Sequence, residues 1–331
     1  MENLAILKGK LEYLEKYKTV GVSEIMINQP GEVWVDDTGE LKRIDDKQIT
    51  EDLIKKICVN LSGISRSQLS EKKPLLSTTI PKIDGRGGER VQIVQEPAVK
   101  KGNTAITIRI PSNTHFSYDQ YQENGAFNSI KDETTDGKLI QLYKEKDWYG
   151  FIKRAVLTRK NIINAGGVST GKTTFTNALI GLIPQNQRII TIEDTRELIV
   201  PHSNKVHLLT RREQTDPHGN VIVPEISATD LLASALRMRP DRIITGELRG
   251  EEAYAFLRGV NTGHPGSIST IHADSADKAL DQLALLVMQA KMGWSKPEIM
   301  DYVKSVIDIV VQWKRYKNHR YISEIKWIKK D

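Results

Sequence analysis

Short runs in which apolar and polar residues alternate occur throughout the first 110 residues, and this period of two predicts half-buried β-strands. Four runs show it most clearly: residues 24–27, 32–35, 90–94 and 104–110. Residues 49–61 instead carry apolar side chains at helical spacing behind Thr50, a residue type that caps helices. The pattern predicts an α+β N-terminal domain over residues 1–112.

A different rhythm begins after about residue 147, where apolar runs alternate with helical patterns. The apolar runs are residues 161–165, 188–192, 242–245 and 267–271. The helical patterns are residues 172–182, 229–238, 251–260 and 276–289. This alternation is typical of βα units around a largely parallel sheet. It predicts an α/β domain over residues 148–331, joined to the first by a polar, weakly patterned linker over residues 113–147.

Length and composition agree with two domains and exclude some protein classes. The chain has 331 residues, of which 27% are charged. No stretch without Asp, Glu, Lys or Arg is longer than residues 173–187, which are too few to span a bilayer. Charged residues close to Met1 leave no room for a signal peptide, so we expect a cytoplasmic protein. The single cysteine, Cys58, excludes an internal disulfide and a cysteine metal cluster, and its apolar neighbours predict core packing.

The net charge of +6 is unevenly distributed along the chain. Residues 1–150 carry 22 basic and 23 acidic side chains, so the surplus lies in the second half. Seven Lys and Arg residues fall within residues 314–331. This basic tail could contact an anionic membrane surface or an acidic neighbour, and it could equally be a solvated strand.

A phosphate-binding motif follows the apolar run 161–165. It reads Gly166-Gly167-Val168-Ser169-Thr170-Gly171-Lys172-Thr173 and fits G-x-x-x-x-G-K-[S/T]. Glycines let successive backbone amides surround phosphate oxygens, and the helix that follows presents further unpaired amides, beginning with Thr173 and Thr174. We expect Lys172 to contact the β- and γ-phosphates and the Thr173 hydroxyl to bind Mg²⁺.

Two acidic residues and a histidine follow neighbouring strands of the predicted sheet. Glu193 comes directly after residues 188–192, and Glu247 follows residues 242–245. Because the carboxyl ends of parallel strands face one edge of the sheet, both acids should lie beside the phosphate loop. His272 ends the run 267–271, where it could sense a γ-phosphate.

Four motifs, in this order and spacing, resemble those of the VirB11-type traffic ATPases of bacterial type IV secretion systems. They are the phosphate loop, Ile-Glu-Asp-Thr at 192–195, Leu-Arg-Met-Arg-Pro-Asp-Arg-Ile-Ile-Thr-Gly-Glu-Leu-Arg at 236–249, and Gly-His-Pro-Gly-Ser-Ile-Ser-Thr-Ile-His-Ala at 263–273. They would be that family's Walker A, Asp box, Walker B and His box. Residues 88–93 and 108–112 resemble its N-terminal signatures, so the resemblance covers most of the chain.

The resemblance implies an Mg²⁺-dependent ATPase with a RecA-like C-terminal domain. It implies a homohexameric ring, docked peripherally at the cytoplasmic face of the inner membrane and in contact with other type IV secretion subunits. By resemblance, Glu247 polarises the attacking water, Glu193 is the Asp-box acid with a role at the metal, and His272 is the sensor. Arg90 and Arg109 match arginines that reach toward the γ-phosphate.

Other functions remain open from the sequence alone. A pilus-retraction or type II secretion ATPase shares these motifs, although such relatives often carry a cysteine metal cluster that one cysteine cannot supply. A nucleic-acid motor would fit the basic second half. A nucleotide-gated ring scaffold with incidental hydrolysis is a non-enzyme alternative.

Overall fold

The computed structural model describes residues 13–82, 87–111, 117–123 and 137–328. Its N-terminal half is built on a six-stranded antiparallel sheet with the strand order β3-β2-β1-β6-β5-β4. The strands are β1 (Val22–Ile27), β2 (Glu32–Asp37), β3 (Glu40–Asp45), β4 (Leu75–Thr79), β5 (Arg90–Gln95) and β6 (Thr104–Arg109). The four runs that alternate in sequence correspond to β1, β2, β5 and β6.

The helix α1 (Glu51–Ser65) packs on this sheet. Ile54, Ile57 and Leu61 lie on its buried face, as their spacing predicts, and join a core with strand residues such as Ile25. The Thr50 hydroxyl accepts a hydrogen bond from the Leu53 amide at 3.2 Å, which caps the helix. The helix therefore begins where the sequence predicts.

The C-terminal half contains a seven-stranded sheet with the order β15-β14-β7-β13-β12-β8-β9. Its strands are β7 (Ile162–Gly166), β8 (Ile189–Glu193), β9 (Lys205–Leu209), β12 (Arg242–Thr245), β13 (Ile268–Ile271), β14 (Ile309–Tyr316) and β15 (His319–Trp327). Between β9 and β12 in the sequence, β10 (Gln214–Thr215) and β11 (Val221–Val223) form a separate hairpin. All neighbouring strands of the large sheet run parallel except β14 and β15, so the α/β prediction is confirmed.

Helices cover both faces of the large sheet. They are α3 (Gly137–Lys144), α4 (Trp148–Leu157), α5 (Lys172–Gly181), α6 (Ala228–Ala235), α7 (Glu252–Asn261), α8 (Ala276–Met288) and α9 (Lys296–Val306), which follow the short helix α2 (Tyr118–Glu123) in the sequence. Successive residues of β7 point to opposite layers: Ile162 packs with residues of α3 to α5, whereas Ile163 packs with residues of α6 to α9. None of the helices in the described ranges combines the length and apolar character needed to cross a bilayer.

The segment predicted as a weakly patterned linker, 113–147, contains ordered structure. Its helix α3 buries Leu139 and Leu142 against the core that also holds Phe151. Leucines three positions apart occupy one face of a helix, and this short signal is what the linker prediction missed. Residues 113–116 and 124–136 of that segment lie outside the described residues.

The two halves contact each other through polar as well as apolar side chains. Arg188, which is fully buried just before β8, donates from Nη1 to the Asn28 Oδ1 at 2.8 Å and from Nε to the Met238 carbonyl at 2.9 Å. The Nε of Arg239 lies 2.5 Å from the Asp36 Oδ2. These contacts fix the N-terminal sheet against the amino-terminal ends of β8 and β12.

Candidate active site

The phosphate motif forms a loop between β7 and α5. Gly171 has φ of 100° and Ser169 has φ of 58°, both in the left-handed region, where the glycine needs no strain. A Cβ on Gly166 would lie 2.7 Å from the Thr170 Oγ1 and 2.8 Å from the Trp313 carbonyl oxygen. Gly166 and Gly171 therefore occupy positions where a side chain would distort the loop.

Lys172, the first residue of α5, folds back over this loop. Its Nζ donates to the carbonyl oxygens of Gly166 and Gly167 at 2.9 Å each and lies 3.4 Å from the His272 Nδ1. Burial lowers the pKa of Lys172, and Arg249 lowers it further, whereas Glu247 opposes the shift. The negative charge of a bound phosphate would favour the ammonium form, so this site gains from an anionic ligand.

A chain of polar contacts crosses the edge of the sheet from this lysine. The His272 Nε2 lies 2.9 Å from the Glu247 Oε1, and the Arg249 Nη2 lies 2.6 Å from the Glu247 Oε2. Arg249 also bridges to the Asp194 Oδ2 at 2.8 Å. Since Lys172 can only donate, the tautomer of His272 that satisfies both contacts has its proton on Nε2 and donates it to Glu247.

Glu193, in contrast, is buried at the end of β8 and engaged by its own strand and turn. Its Oε1 accepts the amides of Glu197 and Leu198 at 2.8 and 2.7 Å, and its Oε2 accepts the Thr191 hydroxyl at 2.9 Å. Burial acts to raise the pKa of Glu193, but these hydrogen bonds and one from His207 hold it below its ordinary value. The carboxylate therefore stabilises the turn after β8.

These groups surround a cavity of about 460 Å³ at the carboxyl edge of the sheet, within the usual size range of ligand pockets. The sequence-predicted residues that line it are Val168, Ser169, Thr170, Gly171, Lys172, Thr173, Thr174, Glu193, Glu247 and His272. Gly166 and Gly167 lie directly before them and supply the carbonyls that hold Lys172. The strand order thus brings three separate sequence motifs together at the loop.

Arg90 and Arg109 occupy a different place. They face each other across β5 and β6 and line a second cavity of about 760 Å³ between the two halves, together with Arg237, Arg239 and Asp241. Within one chain, the structure does not bring them into the cavity around Lys172. Their predicted contact with a γ-phosphate therefore stays a prediction.

The phosphate loop fits a nucleoside triphosphate with a divalent cation. Thr173 and Thr174 lie in the first turn of α5, whose amino end favours negative charge. Within the described ranges, no group of three or more His, Cys, Asp or Glu side chains is arranged to hold a metal ion. Mg²⁺ is usually held by one or two protein ligands together with the phosphates of a nucleotide.

Sequence reasoning missed two arginines of this cavity, Arg249 and Arg320. Arg249 stands two positions after Glu247, so its place at the strand end was a usable signal. Arg320 comes from β15, about 150 positions from the phosphate loop, and no local pattern links the two.

Comparisons with known proteins identify the family of this chain. The model of the family described as "Type II/IV secretion system protein" matches residues 8–315. The chain is 38% identical over 343 aligned residues to the type IV secretion system protein VirB11 of Bartonella quintana, covering 98% of this chain and 93% of that protein. It is 38% identical over 301 residues to the type IV secretion system protein PtlH of Bordetella pertussis, covering 88% of this chain and 84% of that protein.

A solved structure gives the same answer for the fold. The crystal structure of the VirB11 ATPase from the Brucella suis type IV secretion system, in complex with sulphate, matches with a TM-score of 0.88 and 32% identity. The match covers 98% of this chain and 95% of that one. The chain therefore belongs to the Type II/IV secretion system protein family. The predictions of a VirB11-type traffic ATPase and of an ATPase of the type IV secretion class are confirmed.

Proposed function

We propose that the cavity around Lys172 binds ATP with Mg²⁺ and hydrolyses it to drive a type IV secretion system, in a homohexameric ring with a RecA-like C-terminal domain. The observation that carries this proposal is the line of contacts from Lys172 through His272 to Glu247 beside a phosphate loop. It sets a cation, a hydrogen-bonding sensor and a carboxylate at one cavity. Phosphoryl transfer needs mainly this positioning and charge neutralisation.

Each group has a defined task in this proposal. Lys172 leaves the loop carbonyls to neutralise the β- and γ-phosphates, which breaks its contact with His272. Glu247 exchanges its contact with His272 for the attacking water, which it orients and polarises. The Thr173 hydroxyl would hold Mg²⁺, and the ion would supply further charge neutralisation. His272 thereby reports whether the γ-phosphate is present.

Glu193 has a supporting part in the same proposal. All of its hydrogen bonds go to residues of β8, β9 and the turn that follows β8. As a metal-site residue, it acts by holding Asp194 and Thr195 at the rim of the cavity, and direct binding of Mg²⁺ would require its Oε2 to leave Thr191.

Arg90 and Arg109 act on the nucleotide of a neighbouring subunit in the proposed ring. Like charges directly opposite each other on paired strands are destabilising, and a 3.8 Å contact between Arg109 and Glu24 offsets this in part. An anion bound between them would relieve the repulsion. These arginines line a cavity separate from that of Lys172. A ring interface that brings them to the γ-phosphate of the next subunit would account for this separation and would also supply the anion that relieves their repulsion.

The ring would dock at the cytoplasmic face of the inner membrane against other type IV secretion subunits. The basic hairpin of β14 and β15 is a candidate contact with anionic lipid or with an acidic subunit. A nucleic-acid motor is the second candidate, and stimulation of the ATPase by single-stranded DNA that falls with added salt would favour it.

The direct test compares the wild type with Lys172→Ala, using Lys153→Ala on the exposed face of α4 as the control. Steady-state ATP hydrolysis and molecular size are measured with ATP and Mg²⁺. We expect the wild type to form a hexamer. Turnover in Lys172→Ala should be lower by about a hundredfold or more, and the control should keep wild-type turnover. Equal turnover in all three proteins would contradict the proposed site.

A further inference from the structure

The strand order gives the bound nucleotide a direction. The phosphate loop follows β7, while Glu247, His272 and Glu193 come from β12, β13 and β8, which all lie on one side of β7. The γ-phosphate must point to that side, where the carboxylate and the sensor are. The α-phosphate and the nucleoside therefore leave the loop toward the other side, where β14 and β15 lie.

Arg320 stands at that other end of the cavity. It lies near the tip of the β14–β15 hairpin, yet it lines the same cavity as the phosphate loop. A Cβ on Gly171, the last glycine of the loop, would lie 3.4 Å from the Arg320 Cδ, so the arginine stem rests against the loop backbone. Within the described part of the chain, its guanidinium has no hydrogen-bond or ion-pair partner.

We infer that Arg320 is a nucleotide-binding residue that contacts the α-phosphate of ATP and ADP, which makes the hairpin tip the nucleoside end of the site. This inference rests on the proposed ATP site. A guanidinium is suited to the contact, because its planar N–H groups can pair with two phosphate oxygens at once. The exposed position keeps the charge hydrated until a nucleotide arrives.

The hairpin offers a matched control for this inference. Arg315 is the cross-strand partner of Arg320 in the same hairpin, is likewise exposed, and carries the same charge. Its Nε donates to the Lys317 carbonyl at 2.8 Å, and it does not line the cavity formed by the described residues. A general effect of positive charge at the hairpin would therefore appear equally in Arg315→Ala and Arg320→Ala.

The experiment measures dissociation constants of ADP and of a non-hydrolysable ATP analogue, with Mg²⁺, by calorimetric titration of the full chain. We expect Arg320→Ala to raise the dissociation constants of both ligands by the same factor, about tenfold, because both ligands carry the α-phosphate. Arg320→Lys should recover part of this loss, since it retains the charge without the paired donors. Arg315→Ala should bind as the wild type does.

Three results would overturn the inference. The first is wild-type affinity for both ligands in Arg320→Ala. The second is a much larger loss of affinity for the ATP analogue than for ADP, which would place Arg320 at the γ-phosphate. The third is an equal loss of affinity in Arg315→Ala. Lys172→Ala, titrated in parallel, separates this inference from the proposed function. If Lys172→Ala loses both ligands while Arg320→Ala does not, only the role of Arg320 is wrong; if Lys172→Ala binds normally, the proposed site itself is wrong.

Discussion

Two glutamates at the ends of neighbouring strands have opposite surroundings, and this difference separates their roles. Glu193 is 3% exposed, and both of its oxygens accept hydrogen bonds from β8 and the turn that follows it. Glu247 faces the cavity and is held there by two side chains, His272 and Arg249. The sequence predicts both acids at the cavity because both follow a strand. Only the folded turn shows that the carboxylate of Glu193 is held by hydrogen bonds from β8 and from the turn that follows it.

Glu193→Gln should therefore destabilise the fold in a pH-dependent way. The pKa of Glu193 is lowered in the folded chain, so its carboxylate contributes stability above the unfolded pKa, which is near 4.3, and this contribution is lost as the pH falls through the folded value. We expect Glu193→Gln to lower the free energy of unfolding by about 1–3 kcal/mol at pH 7, with the difference from wild type shrinking below about pH 4.

Urea denaturation of both proteins between pH 3 and pH 7 measures this difference. Glu197→Gln, exposed on the same turn, serves as the control and should change the free energy of unfolding by less than about 0.5 kcal/mol. A difference between Glu193→Gln and wild type that stays constant across this range would refute a stabilising role for the ionised carboxylate.

At the scale of elements, β8 and β12 are adjacent parallel strands with the same arrangement. Each has a buried arginine at its start, Arg188 just before β8 and Arg242 as the first residue of β12, and each leads to a glutamate at the cavity. Arg242 donates to the Gln187 Oε1 at 2.7 Å, the Gly266 carbonyl at 3.2 Å and the Val156 carbonyl at 2.8 Å. Burial lowers the pKa of Arg242 to about 10, so it remains charged at neutral pH. These bonds tie α4 and the approach to β13 to the start of β12.

Arg242→Met keeps much of the side-chain volume but removes three buried hydrogen bonds, and of their acceptors the Val156 carbonyl still accepts the Arg159 amide. We expect it to lower the free energy of unfolding by about 2–4 kcal/mol, measured by denaturant titration. Arg258→Met, exposed on α7, should fall within about 0.5 kcal/mol of wild type. Equal stabilities of the two variants would show that the Arg242 network does not hold these elements together.

The elements that the sequence predicted well are those buried on both faces, because their apolar runs are uninterrupted. β7, β8, β12 and β13 are of this kind. β3 was missed because all but one of its residues are exposed, so no alternation marks it. For the hairpin of β14 and β15, the sequence predicts a basic tail or a solvated strand over residues 314–331, but not its contact with the phosphate loop, which depends on long-range packing.

At the scale of the whole molecule, the N-terminal sheet contributes a pair of arginines that its own phosphate loop does not meet. If Arg90 and Arg109 serve the neighbouring subunit, two inactive variants should complement each other. In rings that mix Lys172→Ala and Arg109→Ala subunits, an Arg109→Ala subunit keeps an intact Lys172. Where its neighbour is a Lys172→Ala subunit, that neighbour supplies an intact Arg109, and the site between them is complete. We expect about a quarter of the wild-type turnover in an equimolar ring and almost none in either variant alone.

Co-expression and purification of mixed rings, followed by an ATPase assay, measures this complementation. The control mixes Lys172→Ala with Glu247→Gln, two changes to one cavity, which should remain inactive because no site then has both residues intact. Absence of activity in the Lys172→Ala and Arg109→Ala mixture would instead mean that each chain uses its own arginines through a movement of its N-terminal half.

The role of Glu247 is tested most directly by an experiment that separates nucleotide binding from hydrolysis. ATP affinity and single-turnover hydrolysis are measured with Mg²⁺ for wild type and Glu247→Gln. We expect Glu247→Gln to bind ATP within about threefold of wild type, because the loop and Lys172 are intact. Hydrolysis should be slower by about 10²–10⁴, because the attacking water loses the carboxylate that orients it. Hydrolysis at the wild-type rate, or loss of ATP binding in Glu247→Gln, would contradict this role.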